Sequence, residues 1–309
     1  MIHPRCMAAL GLIMLLAGCS TGGGVLEVGP DARFKLPSEA IARAGRGDTI
    51  HIAPGDYNDC AVIRASGLTI EATGEGATFA DKSCAGKGIL VIDGSDVTVR
   101  NITFMRAEVG DHNGAGIRAE GRNLTVEHCK FIDNENGILA NPNAGSTIRI
   151  MDSDFRGNGK CEGQCAHGLY VGAVDRLEVV HSRFVDQHVG HHIKSRARTT
   201  VLLDSDIADG PDGNSSYLVD IPNGGDVLIQ GNRLQKGRKA ENTGTAVPIG
   251  EEGVRNATHE LVIRDNTFVS DLPGTTVFVR NRTETPATLS GNHLQGNITP
   301  LVGPGTVSP

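Results

Sequence analysis

The sequence predicts an all-β solenoid: short strands wound into coils that stack along one axis behind an N-terminal helical cap. Three observations carry this reading. One strand-like segment recurs eight times, at intervals of 23 to 34 residues. The composition holds 41 Gly, only 4% aromatic residues and no Trp, which suits short strands and tight turns rather than a core of large rings. The 309 residues exceed one ordinary core but fit a fold that grows by adding units.

The first element is an export segment. Arg5 precedes the apolar run Met7 to Leu16, which has signal-peptide length and is too short to span a bilayer. The run ends in Leu16-Ala17-Gly18-Cys19, which resembles the lipobox of bacterial lipoproteins. The resemblance implies a signal peptide over residues 1–18, lipidation of Cys19 and a tether over 19–30. Ser20 stands where an Asp would mark inner-membrane retention, so the expected place is the cell envelope, lipid-anchored in the outer membrane. An ordinary cleaved signal peptide is the alternative.

The repeat comes next and occupies most of the chain. It reads VTVRNITF ending at Phe104, then LTVEHCKF at Phe131, IRIMDSDF at Phe155 and LEVVHSRF at Phe184. It continues to Ile207, Leu234, Phe268 and Leu294. Apolar residues alternate within each copy, the period of a strand. A second strand lies between copies, beginning at Gly116, Gly137, Gly168, His192 and Tyr217. A unit this small cannot bury its own apolar face, so units must stack. Cys, Ser and Asn recurring before the last apolar residue predict a ladder at the bend. Asp204 and Asp206, like Asp152 and Asp154, sit in that bend and read as structural.

This pattern resembles the right-handed parallel β-helix of the pectate-lyase-like superfamily, over roughly Asp48 to Gly296. The opening is similar too: a short amphipathic helix at Ser38 to Ala44, then the first rung from Gly47 to Tyr57. The resemblance implies one β-helix domain over residues 31–296, with the helix capping its open end. The Gly/Pro-rich tail 297–309 is expected to be disordered.

Beyond Cys19, five cysteines fall in the mature chain, which is expected to enter an oxidising compartment. Cys161 and Cys165 flank a short loop and form the best disulfide pair; Cys60 and Cys84, one coil apart, form a second. A zinc site at Cys161 and Cys165 is the rival, but no second pair completes it. Cys129 falls in a strand as a buried thiol.

Candidate chemistry concentrates between Gln187 and Arg198, where three His, one Lys and two Arg lie within 12 residues. Aligning the second strands puts Tyr170 beneath Lys194 and His167 beneath His191. The same alignment sets Val219 above Lys194, Ser216 above His191, and Asp220 inward beside Ser195. The net charge of −7 excludes a broadly basic nucleic-acid-binding surface but permits a local basic patch. A base, a cation and a proton donor together suit β-elimination on a uronate: proton abstraction beside the carboxylate, stabilisation of the intermediate, protonation of the leaving oxygen. Lys194, Arg196, His191 and Tyr170 are the catalytic candidates. His167, His192, Arg198, Tyr217 and Asp220 are the substrate-binding candidates.

The Lys194-Ser195 dipeptide resembles the Lys-Ser of chondroitinase-B-like and alginate lyases, which implies Lys194 as base. Those enzymes carry a catalytic Arg on the next coil. No Arg stands near Val219 and Asp220, so Arg196 or Arg198 takes its place.

Rival readings accompany each residue. The cations can be a solvated strand face, His167 a turn cap, Tyr170 a sugar-stacking platform, and His191 and His192 packing residues or half of a metal site. Asn223-Gly224-Gly225 reads as a turn. Glu251 and Glu252 either close the cleft or lie in a solvated loop. Three functions follow: an enzyme acting on an acidic polysaccharide, a lyase ahead of an epimerase or hydrolase; a non-catalytic glycan-binding or scaffold lipoprotein; and metal-dependent hydrolysis. The expected partners are an acidic polysaccharide and, through the lipid, a membrane. The chain is expected to be a monomer without nucleic acid, resident metal or cofactor; Ca is conceivable on this fold but nothing indicates it.

Overall fold

The structure, a computed structural model, describes residues 23–309; Cys19 and the segment 1–18, expected to be a signal peptide, lie outside the described residues. Each coil contributes one short strand to each of three parallel sheets. The first sheet has 12 strands, the second 10, and the third runs as blocks of 7 and 3 strands. The repeat positions read from the sequence are literal neighbours. Phe104, Phe131, Phe155, Phe184, Ile207, Leu234, Phe268 and Leu294 pair in register up the second sheet.

The bend between the first two sheets is sharp because one residue per coil turns left-handed. His128, Asp152, His181, Asp204 and Asp265 take φ between 47° and 57°, a conformation that Asn, Asp and His tolerate best among non-glycine residues. The following residue stitches coils together. Ser153 Oγ accepts from the Cys129 N–H at 3.2 Å, and the pattern repeats through Ser182, Ser205, Asn232, Asn266 and Asn292. These bonds satisfy backbone donors where sheet pairing lapses.

The core is a file of rings. Phe104, Phe131, Phe155 and Phe184 stack with centroids 5.2, 4.6 and 4.3 Å apart. Facing them, a Cβ at Gly116 would lie 2.9 Å from Phe131, and one at Gly137 would lie 2.7 Å from Phe155. Glycine is therefore required there by close approach rather than by backbone angle.

The cap helix, Pro37–Ile41, is shorter than the sequence suggests and buries Ala40 and Ile41 over the first coil. The tail corrects the expectation of disorder. Ile298–Val302 pairs with Thr276–Asn281, and Gly305–Ser308 pairs with Ala287–Ser290. The open end of a solenoid presents unpaired strand edges, and the tail's glycines serve as turns that let it fill them. Cys60 bonds to Cys84, with Cα atoms 5.6 Å apart, and Cys161 bonds to Cys165 across a two-stranded hairpin. Cys129 is free and buried, its thiol pushed up to about 12 by burial.

Candidate active site

The third sheet carries the site. Its strands Leu169–Val171, His191–Ser195 and Tyr217–Asp220 lie side by side. A column of side chains climbs their leading edge. Asn136 Oδ1 accepts the His167 N–H at 2.8 Å, His167 Nδ1 accepts the His191 N–H at 3.0 Å, and His191 Nδ1 accepts the Tyr217 N–H at 3.2 Å. The rings of His167 and His191 stack at 4.7 Å, and Tyr217 follows at 5.0 Å. Because a backbone N–H can only donate, each neutral imidazole must carry its proton on Nε2. Both rings are neutral. Burial, then the charges of Lys194 and Arg196, push His167 down to about 3. Burial, then His167 and Lys194, hold His191 well below the ordinary histidine range.

This column corrects the upper part of the sequence alignment by one residue. Tyr217, not Ser216, stands over His191, and Asp220, not Val219, stands over Lys194. Asp220 therefore faces the site instead of pointing inward beside Ser195, whose hydroxyl meets Thr200 Oγ1 at 2.7 Å. The slip arises because His192 and Ile193, like Leu218 and Val219, are consecutive buried residues, so alternation fails at the start of the strand.

A charge cluster sits beside the column. Lys194 Nζ lies 3.1 Å from Asp220 Oδ2 and 2.8 Å from Glu252 Oε1. Arg196 donates through Nη2 to Glu252 Oε2 at 2.6 Å, through Nε to Tyr170 Oη at 3.0 Å, and through Nη1 to Asn223 Oδ1. His191 Nε2 is 3.4 Å from Asp220 Oδ2. Burial pulls Lys194 down, but Asp220 and Glu252 outweigh it and hold the ammonium above its usual range. Burial raises Asp220 to about 6 against the pull of Lys194. Glu252 is held below the usual carboxylate range: burial opposes this, and the bonds from Lys194 and Arg196 prevail.

The Lys194 charge revises its expected role. A base activated by neighbouring positive charge needs cations around it, whereas Lys194 has two carboxylates. It rests as an ammonium, suited to stabilising negative charge.

These groups open on a cavity of about 330 Å³ lined by His167, Tyr170, His191, Lys194, Arg196 and the Cys165 hairpin. A larger groove of about 710 Å³ crosses the second sheet. Its Arg183 and Arg233 are paired with Asp154 and Asp206, and its other ionisable lining groups are Arg156, Arg238, Asp186 and Asp271, whereas the smaller cavity brings His, Tyr, Lys and Arg together.

Seven of the nine candidate residues converge: His167, Tyr170, His191, Lys194, Arg196, Tyr217 and Asp220. Two do not. His192 is 1% exposed, and its Nε2 meets Asp209 Oδ1 at 3.1 Å in a buried cluster with Ser215, behind the cavity. Arg198 is 74% exposed and pairs with Asp175 at 3.6 Å, away from the cavity. Asn223 does more than turn the chain: it accepts from Arg196 and donates to Gly253 O at 3.1 Å. Glu252 lies on an exposed turn, and its carboxylate nonetheless reaches both Lys194 and Arg196. Its only sequence signal is the Gly250-Glu-Glu-Gly253 turn, 58 residues from Lys194.

The family model for the right-handed β-helix region matches residues 44–184. Among solved structures, pectate lyase Pel9A superposes with a TM-score of 0.56 at 15% identity, covering 93% of this chain and 78% of that one. An alginate lyase from Paenibacillus sp. str. FPU-7 superposes with a TM-score of 0.54 at 16% identity, covering 90% and 99%. At such identity the likeness is one of fold, and the chain is a right-handed parallel β-helix. Comparison with curated proteins finds no match.

Proposed function

We propose that this chain is a carbohydrate-active lipoprotein of the bacterial envelope, anchored through Cys19, whose third-sheet cleft cleaves an acidic, uronate-containing glycan by β-elimination. The observation that carries the reading is the alignment of Lys194, Arg196 and Tyr170 on one cavity wall. A guanidinium and an ammonium side by side suit a carboxylate, and they stabilise the extra charge that builds on it as the neighbouring proton leaves. Tyr170 Oη is bonded to Arg196 Nε alone among the described residues, so it is the group placed to move a proton. In this reading Tyr170, its own proton first lost to solvent and its phenolate held by Arg196, takes the proton beside the carboxylate and returns it to the glycosidic oxygen as the C–O bond breaks, ending again as the phenolate. His191, a neutral Nε2–H donor, and Asp220 keep Lys194 oriented. The fold likeness to a pectate lyase and an alginate lyase agrees with this reading but does not carry it.

A second reading, a glycan-binding lipoprotein without catalysis, draws on the resting charge of Lys194, which would hold an anion without removing a proton. Both readings require the carboxylate. Calorimetric titration with a uronate oligosaccharide and with its carboxyl-reduced form tests them: the first should bind at least tenfold more tightly, and Arg196→Leu should erase the difference. Equal binding of the two sugars by the wild type would refute an acidic-glycan site.

A further inference from the structure

Lys194 and Arg196 are only 11% and 21% exposed, yet both are satisfied by one side chain that is 45% exposed. The two oxygens of Glu252 divide between the two cations, at 2.8 Å to Lys194 Nζ and 2.6 Å to Arg196 Nη2. This is the forked contact that a bound carboxylate would make. Cations this buried need an anion, because leaving them unpaired is costly. Glu252 is also easy to release. Its backbone N–H donates to Pro222 O at 3.0 Å, and Gly253 N–H closes the turn on Gly250 O at 3.1 Å. The neighbouring Glu251 is held separately, 3.4 Å from Arg282 and 3.6 Å from Arg280. The turn is thus anchored independently of the Glu252 side chain.

We infer that Glu252 is an internal occupant of a carboxylate seat, and that an external carboxylate, of the hexuronate class, enters the cleft by exchanging with it. The seat discriminates by charge and shape: a neutral sugar cannot displace Glu252 without leaving Arg196 with no anion and Lys194 with Asp220 alone. The free cleft is self-occupied, and an acidic glycan pays for its entry by supplying the same two contacts. This inference rests on the glycan reading of the cleft for the identity of its ligand, but not for the exchange itself.

Two arms on the chain from Ser20 to Pro309 separate these parts. The first uses acetate as the probe, with chloride at matched ionic strength as control. Acetate should raise the melting temperature of Glu252→Ala by several degrees and leave the wild type unmoved. The second titrates a uronate trisaccharide, which should bind Glu252→Ala at least tenfold more tightly than the wild type. Its carboxyl-reduced form should show no gain. Glu252→Gln, which can keep a hydrogen bond to each cation without the charge, should fall between and guards against a misfolded Ala variant. Absence of acetate stabilisation in Glu252→Ala overturns the exchangeable seat even if the glycan binds. Weaker trisaccharide binding by Glu252→Ala overturns it as well, since Glu252 would then be a ligand of the glycan. Acetate stabilisation without trisaccharide binding by either protein keeps the seat and overturns the glycan reading.

Discussion

His167→Asn separates the titration of the ring column from its architecture. Asn136, one rung below, already accepts the next coil's N–H through its side-chain oxygen, so Asn at 167 can keep the acceptor that the His191 N–H needs. What it removes is a proton site. His167 titrates near 6.5 in the unfolded chain and at about 3 in the folded one. Between those values the unfolded state binds more protons, so the ring's contribution is intact above pH 6.5 and is lost as pH falls toward 3. The shift corresponds to about 5 kcal/mol at about 1.36 kcal/mol per pK unit, of which about 2 to 3 kcal/mol is lost between pH 7 and pH 4.5. Urea unfolding at those two pH values should therefore show the wild type losing about 2 to 3 kcal/mol more stability than His167→Asn. Equal losses would refute the claim that the column holds His167 neutral through burial and its cationic neighbours.

Two further changes probe the stack and the anchor. Phe155→Ala empties the middle of the ring file, where its neighbours sit 4.6 and 4.3 Å away, and should cost about 3 to 5 kcal/mol in urea unfolding. A loss under about 1 kcal/mol would mean that the file is not a continuous core. Cys19→Ala should abolish incorporation of labelled fatty acid and release the protein from the membrane fraction; persistent labelling would remove Cys19 as the anchor.

Much of the fold was legible because a solenoid writes its contacts into its period. The file from Phe104 to Leu294 and the ladder from Cys129 to Asn292 stand in the sequence as columns at a fixed place in each repeat. Legibility failed where a coil lost its marker. The column that holds Gly116, Gly137 and Gly168 is occupied by His192 and Leu218 in the later coils. Without that marker, and with two buried residues in succession, the register of Tyr217 and Asp220 slipped by one. His192 falls on the buried side for the same reason, and Arg198, though adjacent in sequence, does not share the cavity's face. The tail was judged by composition, although glycine and proline also make the turns that close a solenoid's end. The charge of Lys194 was out of reach, since Asp220 and Glu252 reach it from other coils, Glu252 from 58 residues away.

The proposed chemistry reduces to the appearance of a carbon–carbon double bond conjugated to a carboxylate. The chain from Ser20 to Pro309 incubated with a panel of uronate polysaccharides should give a rise in ultraviolet absorbance. Tyr170→Phe should suppress that rise at least a hundredfold while leaving glycan binding within about threefold of the wild type, as expected for a positioned proton donor. No rise from the wild type on any polysaccharide that it binds would contradict the lyase account and leave the cleft a binding site.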